Sequence, residues 1–403
     1  MAAPRVAFFA DSFHEVNGVA LTSRQLDAFA RRRGLPFFSV HIGPSTALVE
    51  DGPHTTFELA RGPLSFAVER DMSFDLLFMR YARRMARALH AFRPDVIHIT
   101  GPSDVGILGA WAAGHLRVPL VASWHTNLHE FGAARLARML RFLPNAPRRS
   151  IARVTEKGIL NACARFYRLG RVLLAPNPEL MEMLHERTRR PVFLMQRGSD
   201  TVLFDPARRD RTDSDFVLGF VGRVTPEKSV RLLVDIEHAL IGAGIGGYRF
   251  VIVGDGSERA WLEASLRRAE FPGVLKGEEL ARAYANMDLF VFPSRTDTFG
   301  NVILEAHASG VPAVVTGDGG PKYLVESGVN GVVAGDDDAF VRAVIEVVGD
   351  PVLHRRMCGA AREHALTRSW DRVFEQVYEV YGRAITCNRA ASVGKRTRSS
   401  DVN

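Results

Sequence analysis

The chain has 403 residues, 46% of them hydrophobic, and a formal net charge of +7. This length allows two or three domains with sizeable cores, and no apolar run reaches the roughly 18 residues that span a bilayer. The three cysteines, Cys163, Cys358 and Cys387, are widely separated and odd in number, which excludes a disulfide framework and a cysteine zinc motif. We therefore expect a protein of the reducing cytosol without a signal peptide. The positive charge fits an anionic partner or an arginine-rich enzyme.

Strands and helices alternate through the first half of the chain. A strand over 5–10, a loop over 11–18 and a helix over 19–32 predict the start of a Rossmann-like unit. The loop reads Asn17-Gly18-Val19 and lacks G-x-G-x-x-G, which argues against a nicotinamide dehydrogenase. Further strands are predicted at 37–41, 95–100, 119–123 and 166–175, and helices at 74–92, 104–116, 133–160 and 178–186.

Two histidines of this half stand near predicted strand ends. His125 follows the strand 119–123, and ligands of parallel α/β sheets bind at such carboxyl ends. A lone histidine also serves structure, so both roles stay open. His14 shares the first loop with Asp11 and Glu15, but the spacing matches no metal motif and we expect no metal site there.

In the second half, strands and helices alternate again after a proline-containing crossover at 191–206. Strands are predicted at 216–221, 249–253, 274–276, 289–292, 313–316 and 331–333, and helices at 229–243, 258–269, 278–286, 301–309 and 321–327. Residues from 338 to 386 have a helical pattern. The polar, basic tail 387–403 is expected to be disordered. The predicted fold is α/β, with two Rossmann-like domains, 1–195 and 196–369, facing across a cleft.

The most informative stretch is 290–316, a strand, a polar loop, a short helix and a second strand. Gly300 lets the backbone approach a ligand, and the helix N-terminus offers N–H groups to an anion. Asp297 and Glu305 flank the junction between loop and helix. This arrangement predicts a ligand with phosphate at one end and hydroxyl groups at the other.

Two cations follow the first strand of the second half. Arg223 and Lys228 come after Gly222, and an arginine fork with a lysine point charge predicts a diphosphate clamp. Solvated loop cations are the alternative. Gly254 and Gly256 follow the next strand, either as ligand contacts or as a tight turn. The chain contains no P-loop, nucleophile-elbow or H-E-x-x-H motif, which argues against NTPases, serine hydrolases and zincins.

A basic amphipathic stretch lies between 135 and 153. It can rest on an anionic membrane, extended by the arginines of the helix around 80–87, or be an ordinary arginine-rich face. Its membrane-facing candidates are Arg135, Arg138, Arg141, Arg148 and Arg149. No nucleic-acid motif accompanies the charge, so we expect no nucleic-acid partner.

These motifs resemble the retaining glycosyltransferases of family 4, which have the two-domain GT-B fold. The resemblance implies that a last helix, at about 370–386, returns to the first domain. The resemblance covers nearly the whole chain. It rests on Asn17-Gly18-Val19, His125-Thr126, Arg223 with Glu227-Lys228, and above all S-x-T-D-T-F-G-N-x-x-x-E-A from Ser294 to Ala306. The subgroup it resembles comprises bacterial lipid-directed mannosyltransferases and sulfoquinovosyl or glucuronosyl diacylglycerol synthases.

The resemblance implies transfer of a hexose from a nucleotide-diphosphate sugar, GDP-mannose or a UDP-hexose, to a lipid or glycan hydroxyl. It implies retention by front-face displacement, no metal or other cofactor, and a cytoplasmic enzyme peripheral to the inner membrane face. The implied catalytic residues are His125, Arg223, Lys228 and Asp297. With the loop glycines above, the expected donor-binding residues are Asn17, Gly18, Gly222, Gly254, Gly256, Thr298, Phe299, Gly300, Asn301 and Glu305.

Two departures from the family pattern matter. Asp297 stands where the family has Glu, and Arg197-Gly198-Ser199-Asp200 replaces the usual Asn/Arg-Gly-Val-Asp. The shorter acid makes a catalytically weak nucleotide-sugar-binding protein one alternative. A phosphorylase of the same fold is another, although we find no motif for its pyridoxal-phosphate lysine.

Overall fold

The computed structural model describes residues 3–15, 17–69, 72–125 and 145–400. The chain divides into two compact units, Met1–Gln196 with Phe374–Asn403, and Arg197–Val373. Each unit is built on its own parallel sheet. Among the described residues, no helix combines the length and apolarity needed to cross a bilayer.

The first unit contains an eight-stranded sheet and a separate hairpin. Its strands are β1 (Val6–Phe9), β2 (Phe37–Gly43), β3 (Ala47–Asp51), β4 (His54–Ala60), β5 (Ser65–Glu69), β6 (Met72–Asp75), β7 (Val96–Ile99), β8 (Leu120–Ser123), β9 (Val172–Ala175) and β10 (Val192–Leu194). The sheet order is β10-β9-β8-β7-β1-β2-β4-β3, parallel except for β3, while β5 and β6 pair with each other. The central strands are apolar and buried, as expected for a sheet covered on both faces.

Within the described residues of the first unit, five helices precede the crossover. They are α1 (Gly18–Arg32), α2 (Ala82–Phe92), α3 (Asp104–Leu116), α4 (Asn145–Tyr167) and α5 (Pro178–Thr188). Asn17, Ser103 and Asn177 cap α1, α3 and α5 by accepting first-turn N–H groups, which fixes where these helices begin.

The predicted helix over 74–92 is wrong in its first half. The chain there forms β6 and a 3₁₀ turn, Phe78–Tyr81, before α2 begins. Phe74 packs on Phe66 across the hairpin, with ring centroids 6.1 Å apart. Asp75 accepts from the N–H groups of Gly62 and Leu77, at 2.7 and 2.9 Å, so this carboxylate organises a turn where the hydrophobic pattern alone favours a helix.

The second unit is a six-stranded parallel sheet with helices between its strands. The strands are β11 (Phe216–Val221), β12 (Tyr248–Val253), β13 (Ala269–Gly273), β14 (Leu289–Phe292), β15 (Ala313–Thr316) and β16 (Gly331–Ala334). Their order is β13-β12-β11-β14-β15-β16. The helices are α6 (Leu232–Gly242), α7 (Arg259–Ser265), α8 (Gly277–Ala285), α9 (Asn301–Ala308), α10 (Asp337–Gly349) and α11 (Pro351–Leu366). The last helix, α12 (Trp370–Ser400), belongs to the first unit from Phe374 onward.

Several elements in the second half differ from the prediction. The helix predicted at 258–269 ends at Ser265, and the helix predicted at 321–327 is a 3₁₀ turn, Pro321–Tyr323. The edge strand β13 precedes the predicted strand 274–276, because its pairing with β12 runs from Ala269 to Gly273. The last helix, α12, extends to Ser400, beyond the end predicted near 386. Its residues Phe374 and Tyr381 are buried, and a helix anchored by packing can propagate into the residues that follow.

Candidate functional site

The strand order of the second sheet reverses between β11 and β14. The chain adds β12 and β13 on one side of β11, and β14 to β16 on the other. In open parallel sheets ligands bind outside the carboxyl ends at such a reversal. The loops that leave this point carry Arg223 and Lys228 after β11 and Asp297 after β14.

Lys228 and Asp297 form a salt bridge between these two loops. The lysine Nζ lies 2.7 Å from Oδ1 and 2.6 Å from Oδ2, and its side chain is only 10% exposed. Burial disfavours the charged carboxylate, but the Lys228 ammonium, helped by Arg223, outweighs it and holds the pKa of Asp297 below its ordinary value. Since an ammonium has three N–H donors, Lys228 retains one donor for a ligand.

Arg223 is the more accessible cation of the pair. Its side chain is half exposed, and its Nη1 lies 3.4 Å from Glu227 Oε1. An accessible guanidinium presents a fork of donors, which suits phosphate oxygens. The diphosphate-clamp prediction for Arg223 and Lys228 therefore has a suitable geometry, although it stays a prediction.

The glycines after β11 and β12 have a packing explanation. A Cβ on Gly254 would lie 1.9 Å from the carbonyl oxygen of Gly222, and one on Gly256 would lie 2.2 Å from that of Val224. The N–H of Val224 donates to the carbonyl of Asp255 at 3.0 Å. These two loops thus touch backbone to backbone, which accounts for the glycines without a ligand, and their donor-binding role stays a prediction.

The loop after β14 becomes α9 at Gly300. This residue has φ of +95°, a conformation that side chains with a Cβ rarely adopt. No side chain caps the helix, so its first N–H groups are suited to bind an anion. Glycine packing supports the loop, because a Cβ on Gly320 would lie 2.1 Å from the carbonyl oxygen of Thr298. The N–H of Gly320 donates to the backbone carbonyl of Asp297 at 2.6 Å.

Arg197 was not predicted as a site residue, but it contacts two residues that were, Phe299 and Asn301. Its guanidinium is buried, donates from Nη1 to Asn301 Oδ1 at 3.2 Å, and lies 5.6 Å from the ring centroid of Phe299. Its Nε makes no hydrogen bond to a described residue. Burial lowers the pKa of Arg197 to about 10, an effect that Asp297 opposes, so the group is charged at neutral pH. The position of Arg197 in the Arg197-Gly198-Ser199-Asp200 motif could have identified it from the sequence.

Glu305 lies on α9 and is held by a tyrosine from the neighbouring helix. The Tyr284 hydroxyl donates to Oε2 at 2.9 Å. Burial raises the pKa of Glu305 to about 7, although the hydrogen bond from Tyr284 opposes the shift. The carboxyl group therefore changes charge near neutral pH, and a ligand that donates hydrogen bonds to it favours the ionised form.

In the first unit, the strand order reverses between β1 and β7, and Asn17 and Gly18 begin the helix after β1. The Asn17 Oδ1 accepts from Ala20 N at 2.9 Å, and its Nδ2 donates to Ser12 Oγ at 2.9 Å. The amide of Asn17 is thus occupied as a helix cap. Gly18 is the first helical residue, where the N-terminus of α1 favours an anion.

His125 lies at the end of a buried hydrogen-bonded chain. Its Nε2 is 2.7 Å from Ser123 Oγ, which is 2.9 Å from His98 Nε2, and His98 Nδ1 is 2.7 Å from the Tyr381 hydroxyl. All four side chains are less than 10% exposed. The chain joins β8 and β7 to α12, so a residue near the C-terminus helps to orient His125.

One assignment of the protons in this chain is self-consistent. Burial lowers the pKa of His98 to about 3, so its ring is neutral and has one donor and one acceptor nitrogen. If Tyr381 donates to Nδ1 of His98, then Nε2–H of His98 donates to Ser123 and Ser123 donates to His125 Nε2. In this arrangement His125 accepts at Nε2 and carries its proton on Nδ1.

Asp11 is a second residue that the sequence analysis did not place in the site. It follows β1, its N–H donates to Thr100 Oγ1 at 2.8 Å, and its carboxylate accepts from the Ser103 hydroxyl. Burial raises the pKa of Asp11 to about 7. Its position directly after the first strand was the only sequence signal.

Some predicted residues lie outside the part of the chain that the structure describes. Thr126, Arg135, Arg138 and Arg141 fall in the gap from 126 to 144. Arg148 and Arg149 belong to α4, but their side chains are likewise outside the description. The basic stretch predicted to bind a membrane therefore stays a prediction.

Known proteins resemble this chain along nearly its whole length. Residues 17–203 match the family model "Glycosyltransferase Family 4", and residues 215–350 match "Glycosyl transferases group 1". A GDP-mannose-dependent alpha-mannosyltransferase of Mycobacterium tuberculosis is 33% identical over 402 residues, covering 96% of this chain and 99% of that protein. A sulfoquinovosyl transferase of Arabidopsis thaliana is 28% identical over 312 residues, covering 73% of this chain and 58% of that protein.

A protein of known structure also has a similar fold. The sucrose-phosphate synthase from Thermosynechococcus elongatus aligns over 94% of this chain and 99% of its own, with a TM-score of 0.69 and 20% identity. That likeness concerns the fold, two Rossmann-like units of the GT-B type. With the sequence matches, it confirms the family expected from the motifs: the chain belongs to glycosyltransferase family 4 and is a glycosyltransferase with the GT-B fold.

Proposed function

We propose that the enzyme transfers mannose from GDP-mannose to a hydroxyl group of a lipid or glycan acceptor, with retention at the anomeric carbon. The observation that carries this proposal is the cluster of Arg223, Lys228 and the open N-terminus of α9 at the strand reversal of the second unit. The name of the mycobacterial relative supports GDP-mannose as the donor. A UDP-linked hexose is the second candidate.

In this proposal the second unit holds the donor through its diphosphate and ribose. Lys228 uses its third N–H and Arg223 its exposed fork on the phosphate oxygens. The first N–H groups of α9 add partial positive charge. Glu305 accepts hydrogen bonds from the ribose hydroxyls, and Arg197 adds a buried positive charge beside Asn301.

The reaction requires charge stabilisation more than proton transfer by the protein. The acceptor oxygen bonds to the anomeric carbon on the face from which the diphosphate leaves, and the bond between that carbon and the phosphate oxygen breaks. The departing diphosphate takes the acceptor proton. Negative charge grows on that group in the transition state, where preorganised cations are most effective. Arg223 and Lys228 supply this countercharge, so we propose that transfer needs no metal ion, with His125 as the catalytic histidine.

Isothermal titration calorimetry with GDP, UDP and ADP tests the donor. We expect GDP to bind about tenfold or more tightly than UDP or ADP, a difference of about 1.4 kcal/mol or more. Equal affinity for all three nucleotides would contradict GDP-mannose as the donor. Nucleotide binding without turnover of any donor would favour the alternative of a binding protein, and release of sugar phosphate with inorganic phosphate would favour a phosphorylase.

The pKa of Glu305 predicts a pH dependence of donor binding. Between pH 6 and pH 8 the ionised fraction of a carboxyl with a pKa of about 7 rises about tenfold, so the GDP affinity should rise with it. Protonation of GDP itself also contributes to the slope. The variant Glu305→Gln keeps the contribution of GDP protonation and removes that of Glu305. The difference between the pH slopes of GDP affinity in the wild type and the variant therefore gives the effect of Glu305. Identical slopes would show that Glu305 does not contact the nucleotide as an anion.

The buried chain behind His125 gives a second prediction. The variant Tyr381→Phe leaves His98 Nδ1 buried without its partner, at a cost of about 1–3 kcal/mol of stability. We expect kcat to fall about tenfold while KM changes little, and the NMR titration of His125 to shift. Tyr378→Phe is the matched control, since the Tyr378 hydroxyl makes no hydrogen bond to a described residue. Equal kinetics for both variants would limit Tyr381 to a structural role.

A lipid acceptor requires the enzyme to reach a membrane. The first unit exposes apolar residues at and beside the β5–β6 hairpin that could contact the membrane surface. Leu64, Phe66, Leu76, Leu77 and Met79 are between 43% and 58% exposed. The N–H of Leu76 donates to the carbonyl of Leu64 at 3.3 Å, which keeps the two side chains in one patch. The helix α2 follows and exposes three arginines, Arg83, Arg84 and Arg87. Apolar insertion beside positive charge is typical of binding to anionic membranes.

Vesicle sedimentation tests this surface. The wild-type enzyme should sediment with phosphatidylglycerol vesicles but not with neutral phosphatidylcholine vesicles. Phe66→Ser with Leu76→Ser should abolish sedimentation, while Leu366→Ser, an exposed leucine of the second unit, should not. Sedimentation unchanged in the double variant would assign membrane binding to another surface.

A further inference from the structure

Two histidines and a glutamate meet beside the loop that leads into α1. His14 belongs to that loop, His41 to β2 and Glu58 to β4. His41 and Glu58 are register partners on neighbouring parallel strands, near the carboxyl ends. One ligand atom from each of the three side chains lies within 4.8 Å of the other two.

The distances between these atoms are too long for ordinary hydrogen bonds. His14 Nε2 lies 3.8 Å and His41 Nε2 lies 3.5 Å from Glu58 Oε1, whereas such bonds measure about 2.7–3.2 Å. Ligand atoms around a tetrahedral Zn²⁺ with bonds of about 2.0–2.2 Å are separated by about 3.3–3.6 Å. The 3.5 Å between His41 and Glu58 falls within this range. The 3.8 Å between His14 and Glu58 lies just above it, so His14 would move slightly towards a shared cation.

The partners of Glu58 also favour a cation. Among the described residues, the ion-pair partners of Glu58 are the two histidines. His41 Nδ1 faces Ser39 Oγ at 3.5 Å, which leaves Nε2 as the nitrogen directed at Glu58.

Packing holds the ligands in place. The ring of His41 stacks on Phe13 with centroids 3.9 Å apart and planes within 6°. Gly43 makes room for the glutamate, since a Cβ there would lie 2.7 Å from Glu58 Oε2. The His14 side chain is 53% exposed, which leaves it free to adjust and leaves the fourth position accessible to water.

We propose that His14, His41 and Glu58 bind a divalent transition-metal ion of the Zn²⁺ type, with water as the fourth ligand. Imidazole nitrogens with one carboxylate are a common donor set for this ion. The ion would tie residues 11–15, which precede α1 in the chain, to β2 and β4. This site is separate from the diphosphate countercharge of the second unit, and it revises the expectation of no metal near His14. The sequence suggested Asp11 and Glu15 as partners, whereas the fold supplies His41 and Glu58.

Direct titration of chelator-treated protein with ZnCl₂, followed by calorimetry, tests the site. We expect one ion per chain with a Kd below about 10 μM, and intense visible absorption when Co²⁺ replaces Zn²⁺. His14→Ala and Glu58→Gln should each weaken binding at least about tenfold, since each removes a ligand. His41 is buried, so the two more exposed ligands are the better test of binding without loss of the fold.

The matched control is His90→Ala, an exposed histidine of α2, which should bind Zn²⁺ as the wild type does. Equal Zn²⁺ affinity in the wild type and both ligand variants would overturn the proposal, as would the absence of binding to the wild type. GDP affinity is measured separately, so failure here leaves the proposed donor site untouched.

Discussion

Replacing Lys228 with Met should reduce kcat by about 10²–10³-fold, the usual effect of losing a preorganised charge next to the leaving group. Methionine preserves much of the length and packing of the side chain, including its position near the ring of Phe292, but removes the ammonium. The effect should appear in kcat for GDP-mannose more than in KM, since the charge on the leaving group grows in the transition state.

The variant also leaves Asp297 without its salt-bridge partner, so folding must be separated from chemistry. The double variant Lys228→Met with Asp297→Asn removes both charges and should recover thermal stability without recovering activity. Lys276→Met, at an exposed lysine of the same unit, is the control for general effects. A double variant that regained both stability and activity would limit the salt bridge to a structural role.

The second large effect is expected at Asp297. Asp297→Asn should lower kcat by about 10–100-fold, because an amide cannot hold the Lys228 ammonium through two charged oxygens. Asp297→Glu keeps the charge and restores the family's usual residue, and should stay within about threefold of the wild type, or about 0.7 kcal/mol in barrier height.

The two variants distinguish a role in positioning Lys228 from a direct contact with the sugar. The positioning role predicts that Asp297→Asn adds little to Lys228→Met, because both act through the same ammonium. Steady-state kinetics on the single and double variants give the coupling energy. Full additivity of the two losses would mean that Asp297 acts on the substrate independently.

The local elements of the predicted donor site could be read from the sequence, but the contacts between its loops could not. The stretch 290–316 is contiguous, so its strand, loop and helix, with Gly300 at the junction, could be predicted locally. The salt bridge between Lys228 and Asp297 joins loops from two strands that become neighbours only in the folded sheet. No local pattern reports such a pairing.

Other contacts between distant segments could not be predicted either, because local sequence patterns do not show which segments meet in the fold. His98 and Tyr381 are 283 residues apart, and neither belongs to a motif. The raised pKa values of Glu305 and Asp11 depend on burial, which the residue type alone does not reveal. Conversely, Gly254 and Gly256 were predicted to contact the ligand, and their close backbone packing gives a sufficient structural reason for them.

One measurement tests the central proposal most directly. Purified enzyme is incubated with GDP-α-mannose and octyl α-mannoside, with and without vesicles that contain diacylglycerol, and the new glycosidic bond is examined by NMR. We predict GDP release with formation of an α-linked mannoside in the wild type, and its loss in Lys228→Met. A β-linked product would contradict retention, and absence of any mannosylated product, with turnover of a UDP-sugar instead, would contradict GDP-mannose as the donor.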